Sequence, residues 1–438
     1  MRRNFEARVL MDMLWPGSGG LFVAYFNGKR YGDLLFGLDP LGNPSFTPEE
    51  VMLMALSESN YGAWISEHLE GHYKNPGVFD EDHSLIDITN QDIDATIKGK
   101  KLTATAKTSF NSLVDGARVI PFNLFGRLRV AKITDEAGQN VKFIQEKREE
   151  DADLFVILYQ GLKKGASHTL TFEYSGDNAV ADLGGNNFTL ARRTNWYPNN
   201  AGNPLGDRAM FEITLRVPKG LTAIATGDPV GQPAQEGGFT TTKWKTSVPI
   251  DVAGFNYGKY KTEVAKDDKV NCTIESYAND EVPDYIKDYQ RRLEERQAAG
   301  YETFTTLDSI NPAVLMKKAR AEGELAVGLY TDYFGPIPYT RIAMTEQPFF
   351  NFGQAWPMLV YMPVIAYLDS TQRHQMGMDR ANNFFKVVGP HEVSHQWWGH
   401  ILGWKSYRDQ WMSEGFANFS ASLFAQAFYK GKDDFYLA

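Results

Sequence analysis

The sequence predicts a multidomain α+β chain in which a large antiparallel β region precedes a mixed, increasingly helical one. Three observations carry this. At 438 residues the chain exceeds one ordinary domain. Alternating apolar segments with glycine-rich turns run from about His83 to Val264. After Ala265 the pattern turns to helical spacing. The expected division is therefore 1–82, a small mixed segment, possibly the end of a preceding domain; 83–264, β-rich; and 265–438, the part that carries the chemistry.

In the first segment, Leu21 to Phe26 alternates as a strand and leads into the turn Asn27-Gly28-Lys29. Thr47-Pro48-Glu49-Glu50 has the N-cap, first-turn proline and acidic residues of a helix start. It predicts a helix over Val51 to Ser57, with a second over Ile65 to Tyr73. His68 and His72 are then one helical turn apart, and with no third ligand nearby they are expected to be surface histidines.

In the β region, Leu85 to Ile88, Leu102 to Ala106, Phe155 to Tyr159, Thr169 to Tyr174 and Phe211 to Val217 alternate as strands. Turn signals such as Gly161 to Gly165 and Thr226-Gly227-Asp228-Pro229 separate them. Many short strands at such spacing indicate a large sheet or sandwich. Farther on, Asp284 to Ala299 is a charged helix with a solvated face. Asn311-Pro312 opens a better helix, with Val314, Leu315, Ala319, Leu325, Ala326 and Leu329 near helical periodicity, which stops at Phe334-Gly335-Pro336.

Composition excludes some functions. A formal charge of −9 argues against a nucleic-acid partner. Cys272 is the single cysteine, so no intramolecular disulfide forms, and its alternating surroundings make it a packed, inert thiol. No apolar stretch is long enough to span a membrane, and the basic start, Met1 to Glu6, has no apolar segment of a signal peptide behind it. A cytoplasmic location and export from a bacterial cell are both open, as is oligomeric state.

His391-Glu392-Val393-Ser394-His395 is H-E-x-x-H. On a helix, i and i+4 share a face, so both imidazoles converge on one ion. A catalytic zinc keeps three protein ligands and leaves a position for water. The carboxylate between the histidines serves as the base that takes that water's proton. Trp397, Trp398, Ile401 and Leu402 supply a core face without the histidines. His400, five residues past His395, turns away from the pair and is expected to pack behind it. Glu414, nineteen residues after His395 on a second predicted helix, is the expected third ligand; the turn Gly403 to Ser406 brings the chain back.

His391 to His395, Glu414-Gly415-Phe416-Ala417, the Gln396-Trp397-Trp398-Gly399 extension and Asp409-x-Trp411 together resemble the aminopeptidase N-like gluzincins, which include leukotriene hydrolase. Arg192-Arg193, Trp196-Tyr197-Pro198, Phe211 to Leu215, Ala223 to Gly227 and Ala253-Gly254-Phe255 are similar to that family's amino-terminal β domain. Tyr333 to Tyr339 is similar to its entry into the catalytic domain. Residues 1–82 fall outside the resemblance. The resemblance implies a thermolysin-like zinc metallopeptidase domain, one Zn2+ per chain, and a peptide or protein substrate.

Several family positions differ. The family's G-x-M-E-N loop holds a substrate's free amine through its glutamate; here Gly353-Gln354-Ala355 occupies that loop. One register puts Gln354 at the glutamate and Ala355 at the asparagine; the other puts Trp356 at the glutamate. Neither supplies a carboxylate. The second amine-binding acid, expected within Asn186 to Leu190, is missing, and Ala421 stands where a carboxylate is often found. Pro390 before His391 is expected at the first turn of its helix, with Gly389 near the N-cap. The family's oxyanion-stabilising tyrosine lies well beyond the third ligand, and Tyr429 and Tyr436 are too close, so the chain is expected to stop inside the catalytic domain. The expected activity is that of a zinc peptidase, aminopeptidase-like by family. The alternatives are a zinc endopeptidase and a non-catalytic zinc-containing peptide-binding or scaffold protein.

Overall fold

The computed structural model describes residues 5–15, 20–41, 49–74, 84–145, 153–191, 195–201, 206–267, 270–281, 284–300, 316–347, 353–367, 374, 382–404 and 409–429. Helix α1, Phe5–Leu14, turns Met11 into the main β core, with Leu10, Leu14 and Trp15 packed against it. Behind it lies a four-stranded antiparallel meander, Phe22–Gly28, Gly32–Leu38, Val51–Ala55 and Gly62–Glu67, in sequence order.

Neither helix expected here forms: Val51–Ala55 is a strand, and Ile65 to Tyr73 covers the end of the strand Gly62–Glu67 and the turns after it. Val51–Ala55 is five apolar residues long, too short to sustain a helix, and it finds backbone partners on both sides: Phe36 opposite Leu53, and Leu53 opposite Ile65. Thr47 and Pro48 lie outside the described residues. His68 and His72 do not share a helix face either. Each directs Nδ1 at the buried Glu50 carboxylate, at 2.9 and 2.8 Å. Burial alone would raise Glu50, but its backbone hydrogen bond and the two histidines hold it below the usual range.

The β-rich part is built on the long hairpin Ile86–Lys98 and Lys101–Ser112, closed by the two-residue turn Gly99-Lys100 with Gly99 at φ 59°. Ser167–Asp177 and Leu128–Thr134 extend that sheet on one side. Met210–Pro218, paired in parallel with the first strand, and Phe239–Lys245 extend it on the other. Two four-stranded sheets accompany it, one carrying Val119–Asn123 and Asp153–Ile157, the other Asn187–Leu190, Thr222–Ala225 and Phe255–Gly258. A single apolar core joins them, with Phe122 edge-on to both Phe110 and Phe172, and Trp196 edge-on to Phe255.

The remaining sheet is mixed and has five strands in the order Tyr260–Asp267, Cys272–Asn279, Arg341–Gln347, Leu359–Pro363, Gln354–Trp356. Its three inner strands run parallel, and Gln354–Trp356 forms an antiparallel edge. Cys272 is fully buried in it. Helix α2 is Asp284–Ala298 and α3 is Met316–Phe334. Asn311 and Pro312 lie outside the described residues. Gly335, at φ 89°, ends α3 by donating its N–H to Thr331 O.

Helix α4, Asn382–Ser394, runs through Pro390 instead of starting there. A proline inside a helix leaves the carbonyl four residues earlier without its N–H. Here that carbonyl is Lys386 O, 3.4 Å from the Tyr429 hydroxyl, whose one proton it shares with Glu322 Oε1 at 3.3 Å. Tyr429 follows directly on helix α5, Gln410–Phe428. A tertiary bond thus offsets the local defect, and His391 has two helical turns of support ahead of it.

Candidate metal centre

His391 and His395 leave the last turn of α4 one turn apart, with ring centroids 4.9 Å apart and planes near perpendicular. Helix α5 is docked against them through Trp398, which stacks on Phe416 at 4.9 Å and donates Nε1–H to Ser420 Oγ at 3.0 Å. This docking brings Glu414 to the histidines. The two Nε2 atoms are 3.2 Å apart, Glu414 Oε2 is 3.5 Å from His391 Nε2, and Glu414 Oε1 is 3.7 Å from His395 Nε2.

These separations test whether zinc fits. Bonds of about 2.1 Å at tetrahedral angles put neighbouring donors roughly 3.4 Å apart. The three observed separations bracket that value. The tautomer agrees as well: His395 Nδ1 lies 2.9 Å from Trp398 O, so Nδ1 donates and Nε2 keeps its lone pair toward the cluster. The charges show the same crowding. Burial and the neighbouring His391 push His395 down to about 4. Burial would also lower His391, but its hydrogen bond to Glu414 and the charges of Glu392 and Glu414 together outweigh it, and the net shift is upward. Glu414 is held low, first by His391. Its side chain is 53% exposed, so the cluster opens to solvent on the α5 side.

Glu392 is buried beside the cluster, which raises it to about 7. Its carboxylate packs on Gly353: a Cβ built there would stand closer than 3.0 Å to Cγ, Cδ and Oε1 of Glu392. Gly353 has no positive φ, so space alone requires glycine.

Gly353 leads into the edge strand Gln354–Trp356. Gln354 is exposed, and its amide reaches the next carbonyl, Ala355 O, at 3.4 Å. Ala355 is buried. The hairpin Trp356-Pro357-Met358-Leu359 holds Met358 at φ 64°, the conformation that a type II turn requires of its third residue. Gln396, directly after the second histidine, locks it: Oε1 accepts from Met358 N at 2.9 Å, and Nε2 donates to Trp356 O at 3.0 Å. Gln396 in this role, Asp251 beside His400, and Tyr429 were not found from sequence. The only local signals were the interior Pro390 and a methionine following Pro357 where glycine is usual. Ala421 is buried within α5. Arg192, Arg193 and Tyr436 lie outside the described residues.

Helices supplying two histidines and a carboxylate beside a five-stranded mixed sheet, with a β-rich region ahead of them, define a metallopeptidase architecture. Residues 325–437 match the profile described as the peptidase family M1 domain. The M1 zinc metallopeptidase from Deinococcus radiodurans has a similar fold, with TM-score 0.56 and 18% identity, over 79% of this chain and 72% of that one. Membrane alanyl aminopeptidase of Heliothis virescens is 23% identical over 227 residues, which is 49% of this chain and 19% of that protein. Tricorn protease-interacting factor F2 of Thermoplasma acidophilum is 27% identical over 114 residues, 25% of this chain and 14% of that protein. The aligned stretches thus span less than a fifth of these curated relatives. Residues 325–437 thus resemble the catalytic domain of the aminopeptidase N-like peptidases of family M1, whose solved zinc metallopeptidases share this fold.

Proposed function

We propose that the chain carries the zinc site of a peptidase, with His391, His395 and Glu414 as ligands and Glu392 as general base. The observation that carries this is the convergence of the two Nε2 atoms, 3.2 Å apart, with one Glu414 oxygen 3.5 Å from His391 and the other 3.7 Å from His395. When bound, zinc would polarise the scissile carbonyl and acidify a water. Glu392, poised near neutrality by burial, takes a proton from water on its carboxylate and delivers it to the leaving nitrogen. His395 is kept in the ligating tautomer by Trp398 O. The edge Gln354–Trp356 offers backbone groups to an extended peptide beside Glu392. We take residues 83–264 and 265–438 as the β-rich and catalytic domains.

Gln354 and Ala355 bear on the type of peptidase. A neutral amide holds an ammonium with about half the strength of a carboxylate. This weakens the aminopeptidase reading and brings an endopeptidase, or an exopeptidase with another means of holding the amine, nearly level with it. Comparing a free peptide with its N-acetylated form separates them: strong preference for the free amine restores the aminopeptidase reading.

Inductively coupled plasma analysis should find close to one zinc per chain, lost in His391→Ala/His395→Ala. Full retention of metal by that double variant sinks the site. Glu392→Gln should keep zinc and lower turnover roughly 10²–10⁴-fold. Zinc binding without Glu392-dependent turnover by any peptide-hydrolysing form of the protein points instead to the peptide-binding scaffold.

A further inference from the structure

We propose that His400 is a positioning residue that fixes the substrate edge of the catalytic site to the β-rich part of the chain. The inference rests on the peptidase reading and adds a residue to it.

His400 lies between two acceptors from different parts of the fold. Its Nδ1 is 3.3 Å from both carboxylate oxygens of Asp251, and its Nε2 is 3.1 Å from Ala355 O. A carboxylate and a carbonyl only accept, so both ring nitrogens act as donors. The ring is 11% exposed. Its backbone is held as well: Arg208 Nη2 donates to His400 O at 2.7 Å and to Ile401 O at 2.8 Å. Arg208 and Asp251 both come from the β-rich part.

The loop carrying Asp251 is rigidly mounted. Trp196 Nε1 donates to Ala253 O at 2.8 Å, and Gly254 exchanges bonds with Thr226, N to Oγ1 at 3.0 Å and O from N at 2.9 Å. Gly254 also touches the edge strand directly, because a Cβ there would overlap the Trp356 ring. One loop therefore grips two consecutive residues of the strand, Trp356 by contact and Ala355 through His400. Two residues before Ala355 is Gly353, packed on Glu392. Any drift of the strand is passed to the base.

His400 touches no reacting atom in this scheme; it acts through Ala355. Freeing that carbonyl lets the edge shift, and misplacement of about 1 Å in such a site can cost roughly 100-fold. The metal ligands are on α4 and α5 and do not depend on this bond.

The test compares the parent with His400→Ala, Asp251→Ala and the double variant, each loaded with zinc. Acetohydroxamate probes the metal alone; an alanyl-leucine hydroxamate probes metal and edge strand together. Zinc content and acetohydroxamate affinity are expected to stay unchanged, while the peptide hydroxamate weakens about tenfold in each single variant and no further in the double. Unchanged peptide-hydroxamate affinity in the single variants, or losses that multiply in the double, overturns the proposal. If the parent binds neither hydroxamate, the peptidase reading fails, and amide exchange at residues 353–356 decides the positioning role by itself. Faster exchange in His400→Ala upholds it; identical exchange overturns it.

Discussion

Gly353→Ala tests the contact between the backbone at residue 353 and Glu392. The added Cβ lies closer than 3.0 Å to Cγ, Cδ and Oε1 of Glu392, whereas comfortable contact needs about 3.5 Å or more. Either the Glu392 side chain or the loop at 353 must yield by roughly 1 Å. Overpacking of this kind costs about 1–3 kcal/mol. All three crowded atoms lie beyond the Cβ of residue 392, so Glu392→Ala removes the obstacle. Thermal unfolding of parent, Gly353→Ala, Glu392→Ala and the double variant is the assay. A cost of 1 kcal/mol moves the midpoint by about 2–4 °C in a unit of some 150–250 residues. Gly353→Ala should lower the midpoint when Glu392 is present and have little effect in the Glu392→Ala background. Equal effects in both backgrounds would refute the contact. The same substitution should lower turnover by displacing the base, with zinc content unchanged.

Two further results are expected. Glu346 is fully buried at the end of its strand; burial raises it to about 8 against the Asn279 N–H that one oxygen accepts, and its Oε1 has no partner among the described residues. Between pH 4.5 and 8 the native state therefore keeps a proton that the unfolded chain has lost, so its contribution falls as pH rises through that window. Glu346→Gln should flatten this slope and stabilise the protein by a few kcal/mol at most near pH 8, with little change at pH 4.5, in urea titrations; an unchanged slope refutes the assignment. Tyr429→Phe removes the hydroxyl that serves Lys386 O and should cost about 0.5–1.5 kcal/mol. Pro390→Ala supplies the missing helical N–H, so the same tyrosine substitution should cost less in that background, which thermal unfolding of the pairs will show.

Where partners sit close along the chain, the sequence was informative. His391, Glu392 and His395 lie within one helical turn, and Glu414 follows on the next helix, so periodicity alone predicts convergence. The β texture of 83–264 was legible because each strand alternates over several residues. The failures have a common cause. Val51–Ala55 and Gly62–Glu67 are short, and their state is decided by strands on either side, not by an apparent helix cap at Thr47. Pro390 looked like a helix start because its local rule is to break a helix, and only Tyr429, thirty-nine residues later, overrides it.

The sequence by itself supplied the proposed donor set and base, and the neutral Gln354 where the resemblance expects a glutamate, since these are matters of residue type and spacing. The tertiary structure decided how far apart the donors stand, which nitrogen of His395 faces the cluster, and that Gly353 abuts Glu392. It also decided that Asp251, 149 residues from His400, reaches Ala355 through that ring. Such contacts join segments with no shared periodicity. They exist only once the sheets and helices have packed, and no local pattern encodes them.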